Sequence, residues 1–151
     1  MAGTGHEALD RLLPGRGLRR GRLFEWINAR GPGTGAATLA LLAARELMQD
    51  AENRVVGTLV VIDRDGGFYA AAVEELGLSP QELLLVHPKS EAEWLWAVEQ
   101  ALRSPAVDVT LTWADRIEDR AFRRWQLAAE AGGGVGMLVR SAGALEGASW
   151  A

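Results

Sequence analysis

Five short apolar runs alternate with segments of helical spacing, and this alternation constrains the fold more than any other feature of the chain. The runs span residues 23–28, 58–62, 83–86, 107–113 and 135–139. Residues 35–48, 68–76, 90–103 and 117–131 read as the helices between them. In 35–48, Leu39, Leu42, Ala43 and Leu47 recur near the helical period. The run 58–62 is nearly all β-branched or leucine, which suits a strand buried on both faces. Ser90 is placed to cap the helix that follows it, with Glu93 completing a capping box. Gly77 is placed to close the helix before it. Strands joined through helices form a parallel sheet, and the crossovers lay helices on both of its faces. The expected fold is therefore α/β, three layers deep, with a five-stranded parallel sheet. Phe122, Trp113 and Trp125 are expected in its core. In such sheets ligands sit beyond the carboxyl ends of the strands. Here those ends are residues 28–35, 63–65, His87, 113–115 and Arg140.

Composition then removes several classes of chemistry. The chain has 151 residues, enough for one domain with a substantial core. It has no cysteine, so disulfides and thiolate metal sites are excluded. The two histidines, His6 and His87, are not part of any metal-ligand spacing, and no metal site is expected. A net charge of −4 argues against a dominant nucleic-acid surface, though it leaves room for a local basic patch. No apolar run approaches the ~20 residues of a membrane span, and the N-terminus lacks the apolar core of a signal peptide. A cytoplasmic protein without membrane contact is expected.

The first strand runs into a glycine-rich loop and a helix. Free N–H groups and the helix dipole make such a junction an anion site. A phosphate loop reads G-x-x-x-x-G-K-[ST]. With Gly35 as its second glycine, Arg30 takes the first glycine position, and Ala36 and Ala37 stand where lysine and hydroxyl belong. The same residues, from Gly31 through Gly33 to Ala36, also fit the G-x-G-x-x-[GA] dinucleotide pattern. Asp63 would then be the ribose-binding acid, but it follows Gly33 by 30 residues where about 20 is usual. A loop that binds nothing is the simplest reading, and no cofactor is expected. A nucleotide- or dinucleotide-binding enzyme using loop 31–35 stands as the alternative.

Other residues are candidates for contact with partners. In 90–103, Trp94, Leu95, Val98, Ala101 and Leu102 define a buried stripe, and Trp96 lies about 200° from Trp94 at ~100° per residue. Trp96 either packs under the N-terminal helix or the tail, or anchors a partner. Arg116, Arg120, Arg123 and Arg124 form a basic cluster, read either as a solvated face balanced by Glu118, Asp119 and Glu130 or as a docking surface. Asp63 and Asp65 are a carboxylate pair that reads most simply as a polar loop, and His87 as a strand-end residue. Residues 1–5 are small and polar and read as loose. Residues 7–13 read as a short helix stopped by Pro14, and 15–22 as a basic, flexible connection.

The order of these motifs resembles the RecA recombinase core, and more closely the ImuA family, RecA-like and SulA-related proteins of inducible bacterial mutagenesis cassettes. The likeness rests on residues 9–15, on 96–104 and above all on 123–133, Arg-Arg-Trp-Gln-Leu-Ala-Ala-Glu-Ala-Gly-Gly. Residues 4–13, 17–25 and 61–65 also resemble RecA. The resemblance implies a RecA-like core at 23–140 between an N-terminal segment, 1–22, and a tail, 141–151, with the 135–139 strand beside the first in the order 1-5-4-2-3. Aligned on RecA, Asp65 stands at the water-activating glutamate and Trp113 at the Walker B aspartate. With lysine and metal carboxylate gone, little is left to neutralise charge on a γ-phosphate. The resemblance therefore implies a non-catalytic accessory factor of damage-induced translesion synthesis. Its implied partners are an ImuB-like relative of Y-family polymerases, and RecA, with direct DNA contact left open. Family members commonly continue past residue 151 into further strands and a basic tail, so the resemblance does not carry over functions of that tail.

Overall fold

The computed structural model describes residues 2–11, 13, 15, 17–28 and 35–143. Its elements run α1 (Glu7–Asp10), β1 (Arg22–Ile27), α2 (Gly35–Leu47), β2 (Leu59–Ile62), α3 (Ala71–Glu75), β3 (Leu83–Val86), α4 (Glu91–Arg103), β4 (Val109–Trp113), α5 (Asp119–Gly132) and β5 (Val135–Arg140). All five strands are parallel, in the order β1-β5-β4-β2-β3. The expected architecture and strand order are thus both found. Residues of β2, β4 and β5 are almost wholly buried, because helices cover both faces of the three central strands. Strand β3 lies at an edge, and its Leu84 is exposed.

Two apolar clusters sandwich the sheet. One gathers Ala40, Ala43, Ala44 and Leu47 of α2 against Val61, Leu111 and Met137. The other gathers Trp94, Val98 and Leu102 of α4 and Phe122, Trp125 and Ala128 of α5 against Val60, Ile62 and Leu138. Trp94 and Trp125 meet edge to face, with ring centroids 5.1 Å apart. Each buried indole also finds an acceptor. Trp94 Nε1 donates to Thr112 Oγ1 at 2.8 Å, whose hydroxyl donates on to the Ile62 carbonyl, and Trp125 Nε1 donates to the Leu95 carbonyl. Arg140 and Glu25 form an ion pair at 3.4 Å with both side chains almost fully buried. The Arg140 guanidinium also donates to the carbonyls of Ala114 and Asp115, which ties the end of β5 to the loop after β4.

Several local expectations are corrected. The N-terminal residues are anchored rather than loose: Ala2 bridges Leu18, and the buried Thr4 donates its N–H to Asp10 Oδ1 at 2.6 Å. The 15–22 connection is likewise held, with Leu18 fully buried and Arg20 donating to the Leu47 carbonyl. The first helix spans four residues only, with no buried side chain among them. Helix α3 starts three residues later than expected, because Phe68 N–H is held by Asp63. In α2, Leu39 faces solvent, while Ala36, Ala40 and Leu41 take the buried stripe. Trp113 is half-buried rather than core. Ser90 accepts from Glu93 N–H as expected, but Glu93 returns its carboxylate to Lys89 N–H at 2.7 Å instead of to Ser90.

Candidate functional sites

The carboxyl ends of the strands carry one candidate site. Arg30, Gly31 and Gly33 of the glycine loop lie outside the described residues; Gly35, Ala36 and Ala37 open α2. The backbone N–H of Ala36, a donor that a phosphate would use, is taken by Asn28 Oδ1 at 3.0 Å. Asn28 is thus an N-capping side chain from the strand end. Across from it, Asp63 is 4% exposed and accepts three backbone N–H groups, from Asp65 and Gly66 at 3.2 Å and from Phe68 at 2.8 Å. The loop after β2 is wrapped around this carboxylate. Asp63 spends most of its carboxylate on its own backbone, with 4% of the residue left exposed, which weakens the support for the dinucleotide pattern. Asp65 is exposed and does not pair with Asp63 as an acid–base couple would. His87 is exposed, with Nδ1 3.2 Å from the Asp63 carbonyl oxygen.

Between these elements lies a cavity of about 400 Å³, lined by Ala37, Thr38 and Leu41 of α2, by Asp63, Asp65, Gly67, Phe68 and Tyr69 of the loop after β2, by Ala72 and Leu76, and by Trp113. Its described lining carries two carboxylates and no cation. Among the described residues no three histidines, cysteines or carboxylates converge to hold a metal ion.

The second candidate site lies on the opposite side, between α4 and α5. A groove of about 290 Å³ is lined by Ala92, Leu95, Trp96 and Glu99 of α4 and by Glu118, Arg120, Ala121, Arg124 and Trp125. The structure therefore brings Trp96, Arg120 and Arg124 of the expected surface together. Trp96 is 65% exposed and does not pack under the N-terminal helix. The part of the tail beyond residue 143 lies outside the described residues. Arg123 is exposed on the next turn, its guanidinium 3.4 Å from Gln126 Oε1, and Arg116 is exposed but not part of the groove.

Sequence reasoning missed the residue beneath the groove. Glu99, 7% exposed, is gripped by Arg103 at 2.9 Å and Arg124 at 3.0 Å. This buried carboxylate displaces the expected pattern, in which Leu95 and Ala101 complete the stripe; both are half-buried instead. The available signal was the four-residue spacing from Glu99 to Arg103, which places acid and base on one helical face. Of the expected balancing acids, Glu118 lines the groove beside Arg120 and Arg124 without an ion pair to either. Glu130 pairs with Arg22 at 3.8 Å, and Arg124 turns to Glu99.

The chain is 32% identical over 139 residues to "Protein ImuA" of Caulobacter vibrioides, a match covering 89% of this chain and 55% of that protein. It is 33% identical over 108 residues to "Protein RecA" of Rhodopirellula baltica, covering 72% of this chain and 27% of RecA. The chain thus spans about half the length of the ImuA relatives it matches. Among solved structures, SulA from Pseudomonas aeruginosa superposes with a TM-score of 0.64, at 21% identity, over 79% of this chain and 97% of that one. That likeness is one of fold. No protein-family model matches.

Proposed function

We infer that this chain, which belongs to the ImuA-like, RecA-related proteins, supports damage-induced mutagenic DNA synthesis by holding other proteins together and performs no catalysis of its own. The observation that carries this reading is the state of the strand-end site. Ala36 and Ala37 open the helix that would cradle a phosphate, the Ala36 N–H is satisfied by Asn28, and Asp63 is spent on three backbone donors. Among the described residues, a γ-phosphate placed there would meet Asp65 and no cation. Calorimetric titration with ATP-Mg²⁺ and with NAD is expected to give no saturable micromolar binding. Such binding, lost on mutating Gly35, would restore the nucleotide-enzyme reading.

The contact surface on this reading is the α4–α5 groove. Tryptophan and arginine are the residue types that carry interface energy, and basic groups speed encounter with acidic partners. Trp96→Ala and a double Arg120→Glu, Arg123→Glu change are each expected to weaken binding of an ImuB-like polymerase relative, or of RecA, by about thirtyfold, roughly 2 kcal/mol. Arg124 is left intact because its loss would strip a partner from buried Glu99. Trp96, Arg120 and Arg123 are all exposed, so the fold survives the changes. The cellular readout is mutation frequency after DNA damage in a deletion strain complemented with each variant. Wild-type mutagenesis from both variants, or from the deletion itself, would end this reading.

A further inference from the structure

The cavity at the strand ends is not used by the groove reading, and its chemistry points to a ligand of its own. We propose that it takes an arginine side chain presented by a partner polypeptide. Three aromatic residues line it. Phe68 and Trp113 are half-buried with ring centroids 5.8 Å apart and planes at 50°, and Tyr69 is 73% exposed beside them. Asp65 lines the same cavity, and among the described residues it makes no ion pair.

This combination selects among ligands. A phosphate would meet two carboxylates and, among the described residues, no compensating cation. A purely aliphatic side chain would desolvate Asp65 and the Thr38 hydroxyl without replacing their water. A guanidinium answers both needs, because its plane stacks on aromatic faces while its N–H groups reach a carboxylate. Its three-carbon stem suits the apolar wall of Ala37, Leu41 and Leu76. The neighbouring residue already makes this kind of contact inside the protein: Arg64 lies 3.6 Å from the centroid of the Trp94 ring. Arg64 is therefore occupied in the other layer, and among the described residues the aromatic cavity beside its loop keeps a carboxylate without a cation.

The test is titration of the ¹⁵N-labelled full chain with Ac-Ala-Arg-Ala-amide and, separately, with Ac-Ala-Leu-Ala-amide. The arginine peptide is expected to shift the amides of Gly67 and Phe68 and the Trp113 indole N–H saturably at millimolar concentration, with the leucine peptide at least fivefold weaker. Asp65→Asn and Tyr69→Ala are each expected to weaken the arginine peptide by about fivefold while leaving resonances of the α4–α5 layer in place. Equal response to the two peptides, full affinity in Asp65→Asn, shifts confined to the α4–α5 groove, or no saturable shift would each overturn the proposal. None of these outcomes depends on the groove variants, so the two sites fail or stand separately.

Discussion

Substituting Gly132 by alanine sets helix propensity against packing, and the structure decides which wins. Gly132 is the last residue of α5, where replacing glycine by alanine is worth up to about 1 kcal/mol from propensity alone. A methyl group on Gly132, however, would sit well inside 3.0 Å of the Leu102 carbonyl oxygen, and 2.9 Å and 3.0 Å from the carbonyl carbon and oxygen of Arg103. These are backbone atoms at the end of α4, so no rotamer change relieves the clash. The two helix ends must part by roughly 1 Å in an interior packed at crystal-like density. That movement loosens Leu102 and Ala129, both buried against the sheet. Overpacking of this kind costs about 1–3 kcal/mol, and rigid backbone places this site at the upper end. Set against the propensity gain, the net loss is about 2 kcal/mol, which lowers the melting temperature of a domain this size by about 4–8 °C. Because the same helix pair forms the groove, partner affinity should fall with it. The assay is thermal unfolding followed by circular dichroism, with Gly35→Ala as the control. Among the described residues a methyl group at Gly35 meets nothing within 4 Å, so that variant should melt at or above the wild-type temperature. A Gly132→Ala protein as stable as wild type would refute the account of how α4 and α5 approach.

Two further outcomes are expected. Asp63→Asn keeps one acceptor oxygen where three N–H groups converge, so stability should drop by about 1–3 kcal/mol in urea unfolding, and the Phe68 amide should lose its protection from hydrogen exchange. Unchanged protection at Phe68 would show that the loop after β2 is not organised by this carboxylate. The second outcome concerns Asp50, whose carboxyl is held below its usual pKa of 3.8 first by the backbone N–H of Arg54, then by that of Glu52 and by the Arg54 guanidinium. A depressed folded-state pKa contributes stability above the unfolded value, and that stability disappears as pH falls through the folded one. Asp50→Asn should therefore flatten the fall in stability below about pH 4 and leave the slope near neutrality unchanged. An unaltered acid limb in the variant's urea-midpoint profile would count against this.

Strand and helix placement was legible because period is a local property. A run such as residues 59–62, apolar at every position, can only be buried on both faces, and that alone implies helices above and below it. The parallel sheet, its core aromatics Phe122 and Trp125, and the off-stripe position of Trp96 all followed from spacing. The strand order rested on resemblance, since spacing alone does not place β5 beside β1. The proposed loss of phosphate-binding chemistry rests on sequence too, since Ala36 and Ala37 carry no ammonium or hydroxyl in any fold. Tertiary structure decided what each polar group faces. Glu99 lies outside the stripe expected for α4, and it is buried because Arg124, 25 positions away, closes over it together with Arg103. Residues 1–5 read as loose because nothing local holds them, yet Leu18 holds Ala2 and Asp10 holds Thr4. Gly132 looked like an ordinary helix end, and only the backbone of Leu102 makes its missing side chain necessary. The physical reason is common to all three: a local pattern reports how a residue presents itself to its own element, whereas partners brought together across the sheet and between helices depend on how those elements pack.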